Sequence, residues 1–132
     1  MAIRVGIDTV ATASIRDAVA AHGDRYLERV YTAQELADCA GDAERLAARF
    51  AAKEATLKAL RAGDGGIPWN SIGVRRDPSG FVELVLTGEA AELAERQAID
   101  ELAVSLTHEG GFASAVVVAS TAKASRTAPD GR

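Results

Sequence analysis

The spacing of hydrophobic residues changes period several times along the chain, and each change marks an element. Ile3, Val5 and Ile7 alternate with Arg4, Gly6 and Asp8, the period-two pattern of a strand, with Asp8 at its C-terminal end. Ser14-Ile-Arg-Asp17 has the spacing of a capping box and opens a short helix that His22-Gly23 closes. Thr32-Ala-Gln-Glu35 is a second capping box with Gly41 as its stop, and Asp42 caps a long helix over about 43–62. Residues 71–76 and 81–86 form a hairpin around Asp77-Pro-Ser-Gly80. Helical spacing returns from Glu89 to Ile99, and a second hairpin, 102–107 with 112–119, turns at Glu109-Gly-Gly111. The predicted order is β-α-α-α-β-β-α-β-β, without a linker or an internal repeat. It implies one α+β domain over 1–120, in which a mostly antiparallel sheet packs against a long central helix. The last segment, 121–132 (TAKASRTAPDGR), is small and polar and is predicted to be a disordered tail.

The long helix has an unusual surface. Leu46, Phe50, Leu57 and Leu60 make one apolar stripe, and Lys53 falls inside it. Ala48, Ala51, Ala52, Ala55 and Ala59 lie opposite, which predicts a helix packed on both sides with close backbone approach across the alanines. Charge is confined to the flanks, with Glu54 and Lys58 on one and Arg45 and Arg49 on the other. Burying an unpaired ammonium is strongly unfavourable. Either the stem of Lys53 lies along the apolar surface with its head in water, or the head meets a fixed anion.

Composition narrows the classes. The chain has 132 residues, of which 48% are hydrophobic but only 5% aromatic, so small aliphatic side chains must fill the core or an interface between subunits. A net charge of −4 argues against a nucleic-acid binder, which needs a basic face. The single cysteine, Cys39, cannot form an internal disulfide, and a reduced, cytoplasmic setting is expected. The N-terminal stretch is too short and polar for a signal peptide, and no apolar run approaches a membrane span. Two acids suit a hard divalent cation such as Mg2+, and the surrounding cations and histidine suit phosphates. The combination points to a magnesium-dependent enzyme acting on a phosphate ester or anhydride.

Three motifs, in order, carry a resemblance to a known family. They are Gly6-Ile-Asp8, then Arg49-Phe-Ala-Ala-Lys-Glu-Ala-Thr-Leu-Lys-Ala59, then Ser105-Leu-Thr-His108 followed by Ala113-x-Ala115, with Pro68-Trp69-Asn-Ser-Ile72 leading into the middle hairpin. The chain resembles the holo-acyl-carrier-protein synthase group of 4′-phosphopantetheinyl transferases over nearly its whole length except the tail. The resemblance implies the fold of that superfamily. It implies transfer of the phosphopantetheine arm of coenzyme A to a serine of an apo acyl carrier protein, with release of adenosine 3′,5′-bisphosphate. It also implies a homotrimer with each active site between two subunits. Asp8 and Glu54 match the family's Mg2+ ligands, and Lys58 matches a lysine near the transferred phosphate, which makes these three the expected catalytic residues. Arg49, Thr107 and His108 match positions contacting the 3′-phosphate region of the coenzyme, and Lys53, in the same motif, is counted with them.

The chain also departs from the family pattern. Ala11 and Ser14 stand where acidic and basic residues are usual, and Gly73 stands at a commonly acidic position. The segment from Ser14 to Arg29, matching the carrier-docking helix, mixes Arg16, Arg25 and Arg29 with Asp17, Asp24 and Glu28. The carrier therefore stays open among fatty-acid, polyketide and peptide pathways, with docking expected to rest on local arginines. The alternative reading is a non-catalytic relative that binds coenzyme A or a carrier protein.

Overall fold

The computed structural model describes residues 1–122. Strand β1 (Ala2–Ala11) leads into four helices, α1 (Thr12–His22), α2 (Asp24–Val30), α3 (Ala33–Cys39) and α4 (Ala43–Ala59). A 3-10 turn (Trp69–Ser71) opens a hairpin of β2 (Ile72–Arg76) and β3 (Val82–Leu86). Helix α5 (Gly88–Arg96) then precedes a long hairpin of β4 (Ile99–Glu109) and β5 (Phe112–Thr121). The strands form two antiparallel sheets, one of order β1-β5-β4 and one of β2-β3. The predicted α+β class and hairpins are therefore present, with the antiparallel strands divided between two sheets.

Capping residues set the helix starts as expected. Thr32 Oγ1 accepts from the Glu35 N–H while Glu35 Oε1 accepts from the Thr32 N–H, closing the box at the start of α3. Asp42 Oδ1 accepts from the N–H groups of Glu44 and Arg45 at the start of α4. Three expectations need correction. Asp8 does not end its strand, because Thr9, Val10 and Ala11 continue it and pair with Ser114, Ala113 and Phe112. Helix α2 has no counterpart in the predicted order; it is only seven residues long and begins directly at Gly23, which reads in sequence as a stop. The first helix starts at Thr12 without a side-chain cap, so Ser14 and Asp17 do not box it. Of the expected tail, Thr121 belongs to β5 and is buried, Ala122 donates its N–H to the Ala98 carbonyl, and 123–132 lie outside the described residues.

The core lies between α4 and the three-stranded sheet. Ala51, Ala52, Ala55 and Ala59 pack with Ala115, Val117 and Ala119 of β5. Gly6 of β1 meets the same helix so closely that a β-carbon there would lie 1.9 Å from the Ala55 carbonyl oxygen. Alanine on one element and glycine on the other permit this approach. The inward side of β1 is therefore Arg4, Gly6, Asp8 and Val10. Ile3, Val5 and Ile7 face outward and are 57%, 59% and 62% exposed.

Candidate active site

The first functional cluster forms where β1 crosses the C-terminal half of α4. Lys58 Nζ donates to the Ile7 carbonyl at 2.9 Å and lies 3.4 Å from Asp8 Oδ1. The i,i+4 spacing puts Glu54 one turn before Lys58 on the same flank. Burial raises the pKa of Glu54, the negative charge of Asp8 raises it further, and Lys58 opposes both. The two carboxylates thus sense each other across the β1–α4 seam. The expected trio of Asp8, Glu54 and Lys58 is brought together within one chain. Glu54 and Lys58 open onto a cleft of about 930 Å³, lined also by Arg29, Arg61, Trp69 and Asn70. Sequence reasoning missed Arg61, whose signal is conformational: it holds a φ of 55° just past the end of α4.

The second cluster sits on the other flank of α4, at the β4 edge. Arg45, Arg49, Arg76, Phe81, Thr107 and His108 line a separate cavity of about 520 Å³. Arg49 is 3% exposed, and its Nε has no hydrogen-bond partner among the described residues. A buried guanidinium N–H without an acceptor is a costly arrangement, which an anion entering this cavity would relieve. His108 Nδ1 lies 3.8 Å from Glu44 Oε2 at the rim. Arg76 was not singled out from the sequence; it ends β2 beside the Asp77 turn, and only the packing of the two sheets brings it to α4.

Lys53 belongs to neither cluster. Its side chain is 0% exposed, and Nζ donates to Glu35 Oε1 at 2.7 Å, to the Trp69 carbonyl at 3.3 Å and to the Ile72 carbonyl. Burial lowers its pKa while Glu35 raises it. The fixed anion left open by the sequence is Glu35. Lys53 is expected to contact the coenzyme; here its ammonium donates to three protein acceptors, away from both clusters.

The two clusters occupy opposite edges of one sheet. Asp8 is on edge strand β1 and His108 on edge strand β4, with β5 between them. Two strand spacings, about 10 Å, and the body of α4 separate the groups.

Asp8 and Glu54 offer carboxylate oxygens, the donor type that a hard divalent cation takes. The charge of Asp8 raises the pKa of Glu54, a repulsion that a cation between them would relieve. No group of three or more His, Cys, Asp or Glu gathers among the described residues. With only two carboxylates, a cation bound here would keep several waters.

Comparison with known proteins bears on both clusters. The profile described as the 4′-phosphopantetheinyl transferase superfamily matches residues 4–117. The holo-[acyl-carrier-protein] synthase of Chloroflexus aurantiacus is 46% identical over 130 residues, covering 86% of this chain and 95% of its own. That of Koribacter versatilis is 38% identical over 122 residues, covering 89% and 98%. The crystal structure of the Helicobacter pylori holo-[acyl-carrier-protein] synthase in complex with coenzyme A superimposes with a TM-score of 0.80 at 32% identity, covering 88% of this chain and 99% of that one. With the profile spanning both clusters and relatives matched nearly end to end, the chain belongs to the 4′-phosphopantetheinyl transferase superfamily.

Proposed function

We propose that the chain is a holo-[acyl-carrier-protein] synthase that moves the 4′-phosphopantetheine arm of coenzyme A onto a serine of an apo acyl carrier protein, releasing adenosine 3′,5′-bisphosphate. The observation that carries this reading is the meeting of Asp8, Glu54 and Lys58 at one seam. A protein that only bound the coenzyme would not need all three of these groups.

In the reaction, the serine oxygen of the carrier attacks the diphosphate phosphorus bonded to the pantetheine side. The bond from that phosphorus to the bridging oxygen breaks, and the adenosine bisphosphate leaves with the bridging oxygen. The serine proton passes to Glu54, whose pKa burial and the neighbouring Asp8 raise above the usual carboxylate value, which makes it a better proton acceptor than a free carboxylate. Lys58, half-exposed and close to Asp8, offsets the charge that develops on the phosphate oxygens. Mg2+ held by Asp8 and Glu54 would supply charge neutralisation on the diphosphate. Arg49, with Arg45, Arg76, Thr107 and His108 around it, receives the 3′-phosphate end of the coenzyme.

One site needs both clusters, and a homotrimer supplies them by setting the β1 edge of one copy beside the β4 edge of the next. The outward side of the sheet supports this arrangement. Ile3, Val5, Ile7 and Val118 are exposed on it. The hydroxyl row Thr9, Ser114 and Thr107 bounds it, with Thr9 Oγ1 and Ser114 Oγ 2.9 Å apart. The carrier docks on the Arg29 and Arg61 rim of the larger cleft, where local positive charge meets an acidic partner. The domain expected over 1–120 reaches Thr121, the last residue of β5, and a lone buried cysteine suits the reducing cytoplasm. Among the described residues no helix is long and apolar enough to cross a membrane.

The test is mass spectrometry of a panel of apo carrier proteins incubated with the chain, coenzyme A and Mg2+. One member should gain the mass of a phosphopantetheine arm, and a chelator should stop the gain. No gain across the panel would leave a binding protein.

A further inference from the structure

The buried Glu35–Lys53 pair takes no part in the chemistry above, yet its bonds reach the wall of the reacting cleft. Glu35 Oε1 accepts from the Thr32 N–H at 2.9 Å and from Lys53 Nζ at 2.7 Å, and Oε2 accepts from the Val74 N–H at 2.8 Å. Lys53 in turn holds the carbonyls of Trp69 and Ile72, and its ammonium lies 5.7 Å from the centre of the Tyr31 ring. The partners come from the α3 cap, the 3-10 turn and β2, while Lys53 itself directly precedes Glu54 on α4. Trp69 lines the same cleft as Glu54 and Lys58.

Stability does not account for such a pair. Two charges taken out of water cost desolvation that apolar residues of similar volume avoid. Directional bonds to two carbonyls of one short segment do what apolar contact cannot: they fix the rotation and height of that segment over the helix.

We propose that Glu35 and Lys53 are positioning residues, a clip that holds the Trp69–Ile72 segment, and with it one wall of the cleft, at a set distance from Glu54. The kinetic part of this inference rests on the transfer activity proposed above; the structural part does not.

Trp69 is the only tryptophan in the chain, so its fluorescence reports the wall directly. The variants are Glu35→Gln, Lys53→Met and the two combined. Each single change leaves one buried charge unpaired and lowers Tm; the neutral pair removes that penalty and regains most of the loss. With the clip absent, the double variant still shows Trp69 more open to acrylamide quenching than in the native chain. Its kcat stays about 10- to 100-fold low, as for a small misplacement of reacting groups, with KM for coenzyme A changed by no more than about twofold. A double variant with native quenching and native kcat overturns the proposal and reduces the pair to a structural role. If the neutral pair does not fold, Lys53→Arg carries the test. It keeps the charge but replaces a compact donor by a planar fork, and native quenching and kcat in that variant overturn the clip equally. A native chain that transfers nothing removes the proposed function, and the quenching comparison then decides the clip alone.

Discussion

Gly6 of β1 and Ala55 of α4 touch backbone to backbone: a β-carbon on Gly6 would stand 1.9 Å from the Ala55 carbonyl oxygen and 2.8 Å from the Ala59 nitrogen. The contact brings the strand close enough to the helix for Asp8, two residues on, to meet Lys58. Gly6→Ala must push β1 away from α4. We expect a loss of about 3 kcal/mol, the upper end of overpacking costs, seen as a Tm lower by about 10 °C. Transfer activity should fall further than the folded fraction, because the carboxylates separate. A variant with native Tm and activity would mean that the close approach is not needed.

Glu54 carries a stability penalty with a definite pH dependence. Its folded-state pKa is raised by burial first and by Asp8 second. For a group raised in this way the folded state binds the proton more tightly than the unfolded state. Its contribution is therefore most favourable below the unfolded pKa and is lost as pH rises through the raised value. Glu54→Gln should abolish transfer yet have a higher Tm than the native chain at neutral pH, with the gap closing as pH falls through the carboxylate range. Thermal scans across pH check this, and a gap that widens in acid contradicts the assignment.

The Nε of Arg49, without a hydrogen-bond partner among the described residues, gives a prediction that depends on the substrate. Arg49→Lys removes the fork that grips a phosphate and should raise KM for coenzyme A by about 10- to 100-fold, the worth of a charged hydrogen bond. The KM for dephospho-coenzyme A, which lacks the 3′-phosphate, should hardly change. Equal losses for both substrates would move Arg49 away from that phosphate.

The opposite-edge placement of the clusters gives a complementation test. Glu54→Gln disables the β1-side half of a site, and His108→Ala disables the β4-side half. Each variant alone should be weakly active or inactive; in the proposed trimer, a reassembled mixture of the two should contain some sites with both native halves and recover activity. No recovery in mixed trimers means that each chain uses its own two clusters. Separately, Val5→Asp on the outward face should yield monomers by light scattering, with little change in secondary structure.

Local signals made much of this fold legible. The Thr32 and Asp42 caps, the Asp77–Gly80 and Gly110–Gly111 turns and the alanine stripe of α4 each act within a few residues, so their spacing in the chain carries the physics. Helical spacing likewise placed Glu54 and Lys58 on one flank of α4, whereas Gly6-Ile-Asp8 gained its weight from resemblance to a family motif.

Other features needed the tertiary structure because their causes lie far apart in sequence. Alternation showed that β1 has two faces but not which one the helix takes. The helix takes the Arg4, Gly6 and Asp8 side, because only glycine admits the backbone of Ala55, and the apolar Ile3, Val5 and Ile7 side is left facing out. Nothing in the order of residues tells Lys53 that its anion is Glu35, on another helix, so a lysine in a functional motif read as a ligand contact. The division of the cations and acids between opposite sheet edges follows from the strand order β1-β5-β4, which long-range pairing decides and local pattern does not. Sequence by itself determined most of the elements, though not α2, and the types of group they carry; the packing of α4 on the sheet decided which groups meet, because proximity across a core is set by contacts between distant segments.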